Sequence, residues 1–272
     1  MPSFTGVRPS TAADARQPRI SCSSRSSPAA RASAAVEGLT PVNEGIATCR
    51  AILDQVRGSP VAAAVTLHPI AALLAMRGDF DEARAAIREG NAILAELDRL
   101  QSAVSHHEAL VELLASEPRA AAERLRSGYA RLEGLGEQAV LATTAALLAQ
   151  ALYEAGEHRE AEGFCSISEA AAAAEDRVTQ ATWRGVRAKL LARARRFEEA
   201  EALARESVRL LSLTDQLSRQ GDAFVDLAEV LRRAGHPDAD AALRDGVERY
   251  ERKGNVVSAA RARTLLAAAG AR

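Results

Sequence analysis

From about residue 40 onward, apolar side chains recur at spacings of three and four, in paired stretches separated by short polar corners. That period lays each set along one side of an α-helix. Ile46, Cys49, Ile52, Leu53 and Val56 form the first such stripe. Before it, Thr40 offers an N-cap hydroxyl and Pro41 fits the first helical turn, where a missing N–H costs nothing; after it, Gly58 suits a left-handed stop. Ser59-Pro60 repeats the start signal. Further on, a small-residue helix, a polar corner and a second helix opening on alanine return five times: GDFDEA from Gly78, SEPRAAA from Ser116, GEHREA from Gly156, RRFEEA from Arg195 and AGHPDADA from Ala234. The corner residues Gly78, Ser116, Gly156, Arg195 and Gly235 lie 38, 40, 39 and 40 residues apart. A unit of two helices cannot enclose its own apolar side, so the units must stack. The pattern predicts an all-α fold: a right-handed α-solenoid of about five to six helix pairs over residues 40–270, with a last helix from Val256 to Ala268 capping its open end. The fifth unit has lost a residue between Asp238 and Ala241, which predicts a tighter corner there.

Composition sharpens this picture. The chain is 47% hydrophobic but only 3% aromatic, and alanine and leucine, the best apolar helix formers, carry most of that content. No sustained period-2 alternation appears, which argues against a sheet. Residues 1–39 differ from the rest. They are rich in Ser, Arg, Ala and Pro, and Arg8, Arg16, Arg19, Arg25 and Arg31 face one early acid, Asp14. This segment reads as a disordered tail, or as an organelle transit peptide of the same composition. The remainder mixes its charges, for a formal net charge of -1, so nucleic acid is not an expected partner. No apolar run appears long enough to span a bilayer, the richest being Ala142 to Tyr153, and no membrane partner is expected. Cys22, Cys49 and Cys165 are widely spaced, with no C-x-x-C; this suits a reduced, cytoplasmic setting and suggests neither disulfides nor zinc.

The repeats resemble the tetratricopeptide motif. In the first full unit the matching positions are Ile70-Ala71, Leu74, the corner Gly78-Asp79-Phe80, then Ala83, Ile87 and Gly90. Small residues stand where paired helices cross closely and large ones fill the space between. The period near 39 exceeds the usual 34, so longer helix pairs are expected. The opening TPVNEGIATCRAILDQVRG, the ALLAMRGDFDEAR unit and the ending RYERKGNVVSAARARTLLA resemble the C-terminal tetratricopeptide region of bacterial signalling proteins that join a class III nucleotide cyclase to an AAA-like ATPase. They also resemble the arrays of ATP-dependent LuxR-type regulators. That resemblance covers residues 40 to 270 and implies a sensor or interaction module, with the catalytic parts lost or encoded elsewhere. The chain has no G-x-x-x-x-G-K-[ST].

Candidate chemistry is sparse. No nucleophile and base can be paired, no cofactor or metal site is suggested, and His106-His107 read as solvated, because adjacent helical residues point about 100° apart. Trp183 reads as packing. Inner-face positions of the first helix of each pair pick out a groove containing His68, His106, Gln150, Tyr153, Lys189, Arg193, Glu229, Arg232 and Arg233. Its basic C-terminal half suits an acidic peptide or carboxylate, with Tyr153 as an anchor. The reading is a non-catalytic scaffold that binds a protein or peptide in its concave groove. The alternative is an enzyme or small-effector module on the same architecture, marked by a cluster of buried ionisable groups in the groove.

Overall fold

The computed structural model describes residues 27–96, 104–135 and 138–270, and these contain thirteen helices and no strand. They pair as α1(Pro28–Glu37) with α2(Val42–Gln55), α3(Pro60–Arg77) with α4(Phe80–Glu96), α5(Val104–Leu114) with α6(Pro118–Leu135) and α7(Gln138–Ala155) with α8(His158–Ala171). The array continues with α9(Arg177–Arg193) and α10(Phe197–Ser212), then α11(Leu217–Ala234) and α12(Ala239–Lys253), and ends in α13(Val256–Gly270). The odd-numbered helices from α1 to α11 touch one another in succession and form an inner layer, with their even-numbered partners outside, and α13 packs on α12 and α3. Ala71, Ala83, Ala149, Ala161, Ala188 and Ala200 are fully buried between them, as the motif requires.

The corners carry the repeat in their backbones. Gly78, Ser116, Gly156, Arg195 and Gly235 all have positive φ, between 63° and 102°. In each corner the next residue's N–H returns to a carbonyl five residues earlier, as from Asp79 to Leu74 at 3.0 Å and from Arg196 to Leu191 at 3.0 Å. This left-handed helix stop costs nothing for glycine, whereas Ser116 and Arg195 adopt it against their Cβ. Gly254 forms a sixth such corner, but Gly58 does not. The fifth corner is longer rather than tighter: four residues separate α11 from α12 and two separate α3 from α4.

Order also begins earlier than the composition suggests. Residues 1–26 lie outside the described residues, but Pro28–Glu37 is a helix whose Ser27 hydroxyl accepts from Ala30 N at 3.2 Å. Ala32, Ala35 and Val36 are buried against α2 and α3. The alanines that make this segment look simple are what let it pack closely. It supplies the sixth helix pair.

The two ends of the array meet. α13 packs on α3, and α1 on α11. The Lys253 ammonium, fully buried, donates to the carbonyls of Ala35, Gly38 and Thr40, each at 2.8 Å. Arg261 on α13 donates to the carbonyls of Leu113, at 3.0 Å, and Leu114, and to Ser116 Oγ. The expected end cap therefore closes a ring. Inside it, α3 is the most apolar helix; by length and composition it could cross a membrane, and two thirds of it is buried.

Candidate functional site

Ring closure turns the concave face into a cavity of about 580 Å³, to which all seven inner helices contribute. Its apolar wall includes Val36 of α1, Met76 of α3, Leu110 and Leu113 of α5, Leu147 of α7 and Val225 of α11. Set into this wall are Glu37, His106, His107, Gln150, Glu154, Asp176, Arg219, Asp222, Asp226, Tyr250 and Arg261.

The polar groups are bonded in small sets. Thr144 Oγ1 donates to the Val140 carbonyl at 2.7 Å, so its 2.8 Å bond to His106 Nε2 must be received from the ring, which leaves His106 Nδ1 unprotonated. Burial, with Arg219 nearby, pushes His106 down to about 4, and burial with the neighbouring His68 and His106 pushes His107 down to about 3. Both are neutral at pH 7. Lys189 on α9, 4% exposed, pairs with Asp226 on α11 at 2.6 Å. Burial opposes its charge, but Asp226, Glu154 and Glu229 outweigh that and hold its pKa above the ordinary lysine value. Gly185 allows this approach, since a Cβ there would lie 2.7 Å from Asp226 Oδ2. The Tyr250 hydroxyl donates to Asp222 at 2.7 Å, and Arg219 approaches the same carboxylate at 3.7 Å.

Two carboxylates are less well served. The nearest donor to Glu154 is the Gln150 amide, at 3.5 Å. Glu154 projects into the cavity, and burial raises its pKa, with Asp226 and Asp222 adding to the shift and Lys189 opposing it. Glu37 is also raised by burial, although Arg219 and Lys253 draw it down. Asp176 is occupied as the N-cap of α9, where it accepts from Thr179 N at 3.1 Å.

Of the residues singled out from sequence, His106 and Gln150 line this cavity. His106 and His107 are not solvated as expected, because ring closure buries the face they share. His68 is buried, bonded to the Ala64 carbonyl at 2.9 Å and to Asn91 Oδ1 at 3.0 Å. Tyr153 is buried with its hydroxyl on Glu229, beneath Lys189 at 4.5 Å from the ring centroid. Arg193 is exposed, Arg232 pairs with Asp240 at 3.0 Å and Arg233 with Glu229 at 3.0 Å. These last groups sit at the C-terminal ends of α9 and α11, whereas the cavity uses Val178 and Thr179 near the start of α9 and Arg219, Asp222 and Asp226 from the start to the middle of α11. Glu37, Glu154, Arg219, Asp222, Asp226 and Tyr250 were missed. One signal was available: residues 219, 222 and 226 continue toward the N-terminus the same inner stripe that holds Val225 and Glu229.

Elsewhere, buried Cys49 and Cys165 are pushed up to about 11 and about 12 by burial, which makes them poor nucleophiles at neutral pH. Trp183 is buried under the guanidinium of Arg184 at 4.1 Å. Among the described residues no group of three or more His, Cys, Asp or Glu is arranged to hold a metal.

No family model and no curated protein matches the sequence. Solved structures do match in shape. The apo form of the quorum sensor NprR from B. thuringiensis is 14% identical with a TM-score of 0.55, over 76% of this chain and 60% of that one. NprR in complex with its cognate peptide NprX is 15% identical with a TM-score of 0.60, over 79% and 66%. BtubC from P. vanneervenii is 16% identical with a TM-score of 0.53, over 83% and 89%. The chain thus spans less than two thirds of the length of the NprR structures it matches. At these identities the likeness shows the fold, an all-α helical-repeat solenoid of the tetratricopeptide type.

Proposed function

We propose that this chain is a non-catalytic regulatory interaction module, cytoplasmic, whose interior cavity receives a short peptide or the end of a larger protein. The observation that carries this reading is the convergence of seven inner helices on one 580 Å³ space lined by apolar and polar side chains, within the size range of sites that engulf a drug-sized ligand. The peptide complex of NprR supports a peptide as occupant. Resemblance to the arrays of cyclase and ATPase signalling proteins supports a place at the sensor end of such a system. No catalytic, cofactor or metal residue is assigned.

A second reading, a small-effector or enzyme site, is favoured by the shifted groups His106, His107, Glu154 and Asp222, which line one cavity together. Turnover of a bound ligand separates it from the first. To test binding, a random heptapeptide display library is panned on the wild type and on Gln150→Trp, which fills the cavity. Peptides selected on the wild type should bind the variant at least about tenfold more weakly, a difference of about 1.4 kcal/mol. Equal binding to both proteins removes the cavity from consideration.

A further inference from the structure

The cavity does not balance its own charge. Five carboxylates line it, and two of them are already engaged: Asp226 holds Lys189 at 2.6 Å, and Asp176 caps α9. Of its two guanidinium groups, Arg261 is spent on the Leu113 and Leu114 carbonyls and Ser116. Lys253, near Glu37, is spent on three carbonyls. The histidines facing the space are neutral at pH 7. Counted as whole charges, the five carboxylates face four cations, Arg219 and Arg261 in the lining and Lys189 and Lys253 beside it, and among the described residues Glu37, Glu154 and Asp222 have no ion pair closer than the 3.7 Å from Arg219 to Asp222.

Glu37 and Glu154 line the cavity with exposed side chains and Asp222 is partly buried, so a ligand cation can reach all three and gain charge-assisted hydrogen bonds from them. The space also offers an extended apolar wall, and Gln150, Ser33 and Ser218 can bond amide groups. His107 lines the same space and has no hydrogen bond to another described side chain, so its ring is available to a ligand.

Building on the cavity as a ligand site, we infer that its occupant is a short basic peptide, whose ammonium or guanidinium groups are held by Glu37, Glu154 and Asp222 while its apolar side chains lie on the leucine and valine wall. This reverses the acidic ligand that the exposed arginines of α9 and α11 suggest from sequence. Those arginines sit outside the cavity, and Arg232 and Arg233 are paired with acids of their own.

The test is affinity selection with mass-spectrometric readout from a library of acetylated, amidated tripeptides, so that only side chains carry charge. It is run on the full chain as wild type, Glu154→Gln, Glu37→Gln and Leu265→Trp, which enlarges a side chain of α13 that lines the cavity, with Gln150→Trp as a second filled variant and circular dichroism confirming each fold. The expected result is enrichment of Lys- and Arg-containing members by the wild type. That enrichment should fall at least about tenfold in Glu154→Gln, as for loss of one charge-assisted hydrogen bond, and vanish in the filled variants. Cavity-dependent enrichment of acidic or neutral members overturns the charge assignment and leaves the cavity reading standing. Enrichment that survives in the filled variants, or none at all, overturns both.

Discussion

Within the array, neighbouring repeats meet through alanine; across the seam, the first and last repeats meet through charge. The α7–α10 region is held by Leu148, Ala149, Leu152, Ala161, Ala188 and Ala200, all at most 1% exposed. The seam has some apolar contact, but its specific links are Lys253 on three carbonyls and Arg261 on two carbonyls and Ser116. Contacts between consecutive repeats are local, and any repeat can reuse them. The seam joins residues 145 to 218 positions apart, and directional hydrogen bonds to fixed carbonyls define where the ends dock. Close packing therefore secures the helices, whereas the polar links secure the ring and the cavity within it.

The sharpest break falls on the interior. Leu148→Ala should cost about 2–5 kcal/mol, as for other large-to-small core changes, and should lower the whole unfolding transition seen by circular dichroism. A local loss confined to one region of hydrogen exchange would contradict the cooperative array. At the seam, Lys253→Met should cost about 2–3 kcal/mol, since bonds to a buried ammonium are lost and its carbonyls are left unpaired. Helicity should persist while small-angle scattering shows an increased radius of gyration. An unchanged scattering curve would show that apolar contacts hold the ring closed without the lysine.

The cavity wall links the two regions and is addressed by pH. Folding depresses the His106 pKa from about 6.5 to about 4, so the unfolded chain takes up a proton first as pH falls, and stability is lost between those values. Glu154, raised by burial, acts with the opposite sign and gains stability as pH falls through its folded pKa. Comparing wild type with His106→Gln isolates the first contribution: the wild type should lose about 1–2 kcal/mol relative to the variant between pH 7.5 and pH 5. Parallel denaturation profiles would mean that the imidazole is solvated. The smallest effect belongs to the corners. Arg195→Gly should stabilise by about 0.5–1 kcal/mol because it relieves a left-handed arginine, and a thermal melt that shifts downward would refute that account.

Much of the fold was legible because repetition writes one physical problem several times. Aligning the corners on Gly78, Gly156 and Gly235 placed Ser116 and Arg195 in register with them, and their backbones share the same left-handed turn although their residue types alone would not suggest it. Pro28–Glu37 was obscured because an alanine-rich helix that packs closely and a low-complexity tail have similar compositions. For the site, two of the groove positions read from sequence, His106 and Gln150, line the cavity, whereas on α11 its carboxylates Asp222 and Asp226 precede the residues chosen there, Glu229, Arg232 and Arg233.

The sequence by itself determined the helix pairs after α1, the left-handed turn shared by five corners and the inward face of each first helix, because those depend on contacts within or between adjacent repeats. Only the tertiary structure decided that the array closes, which level of each inner helix meets the cavity, and that the enclosed charge is acidic. Small rotations between repeats accumulate along a solenoid, and whether the ends meet depends on their sum together with a few polar contacts between residues far apart in the chain.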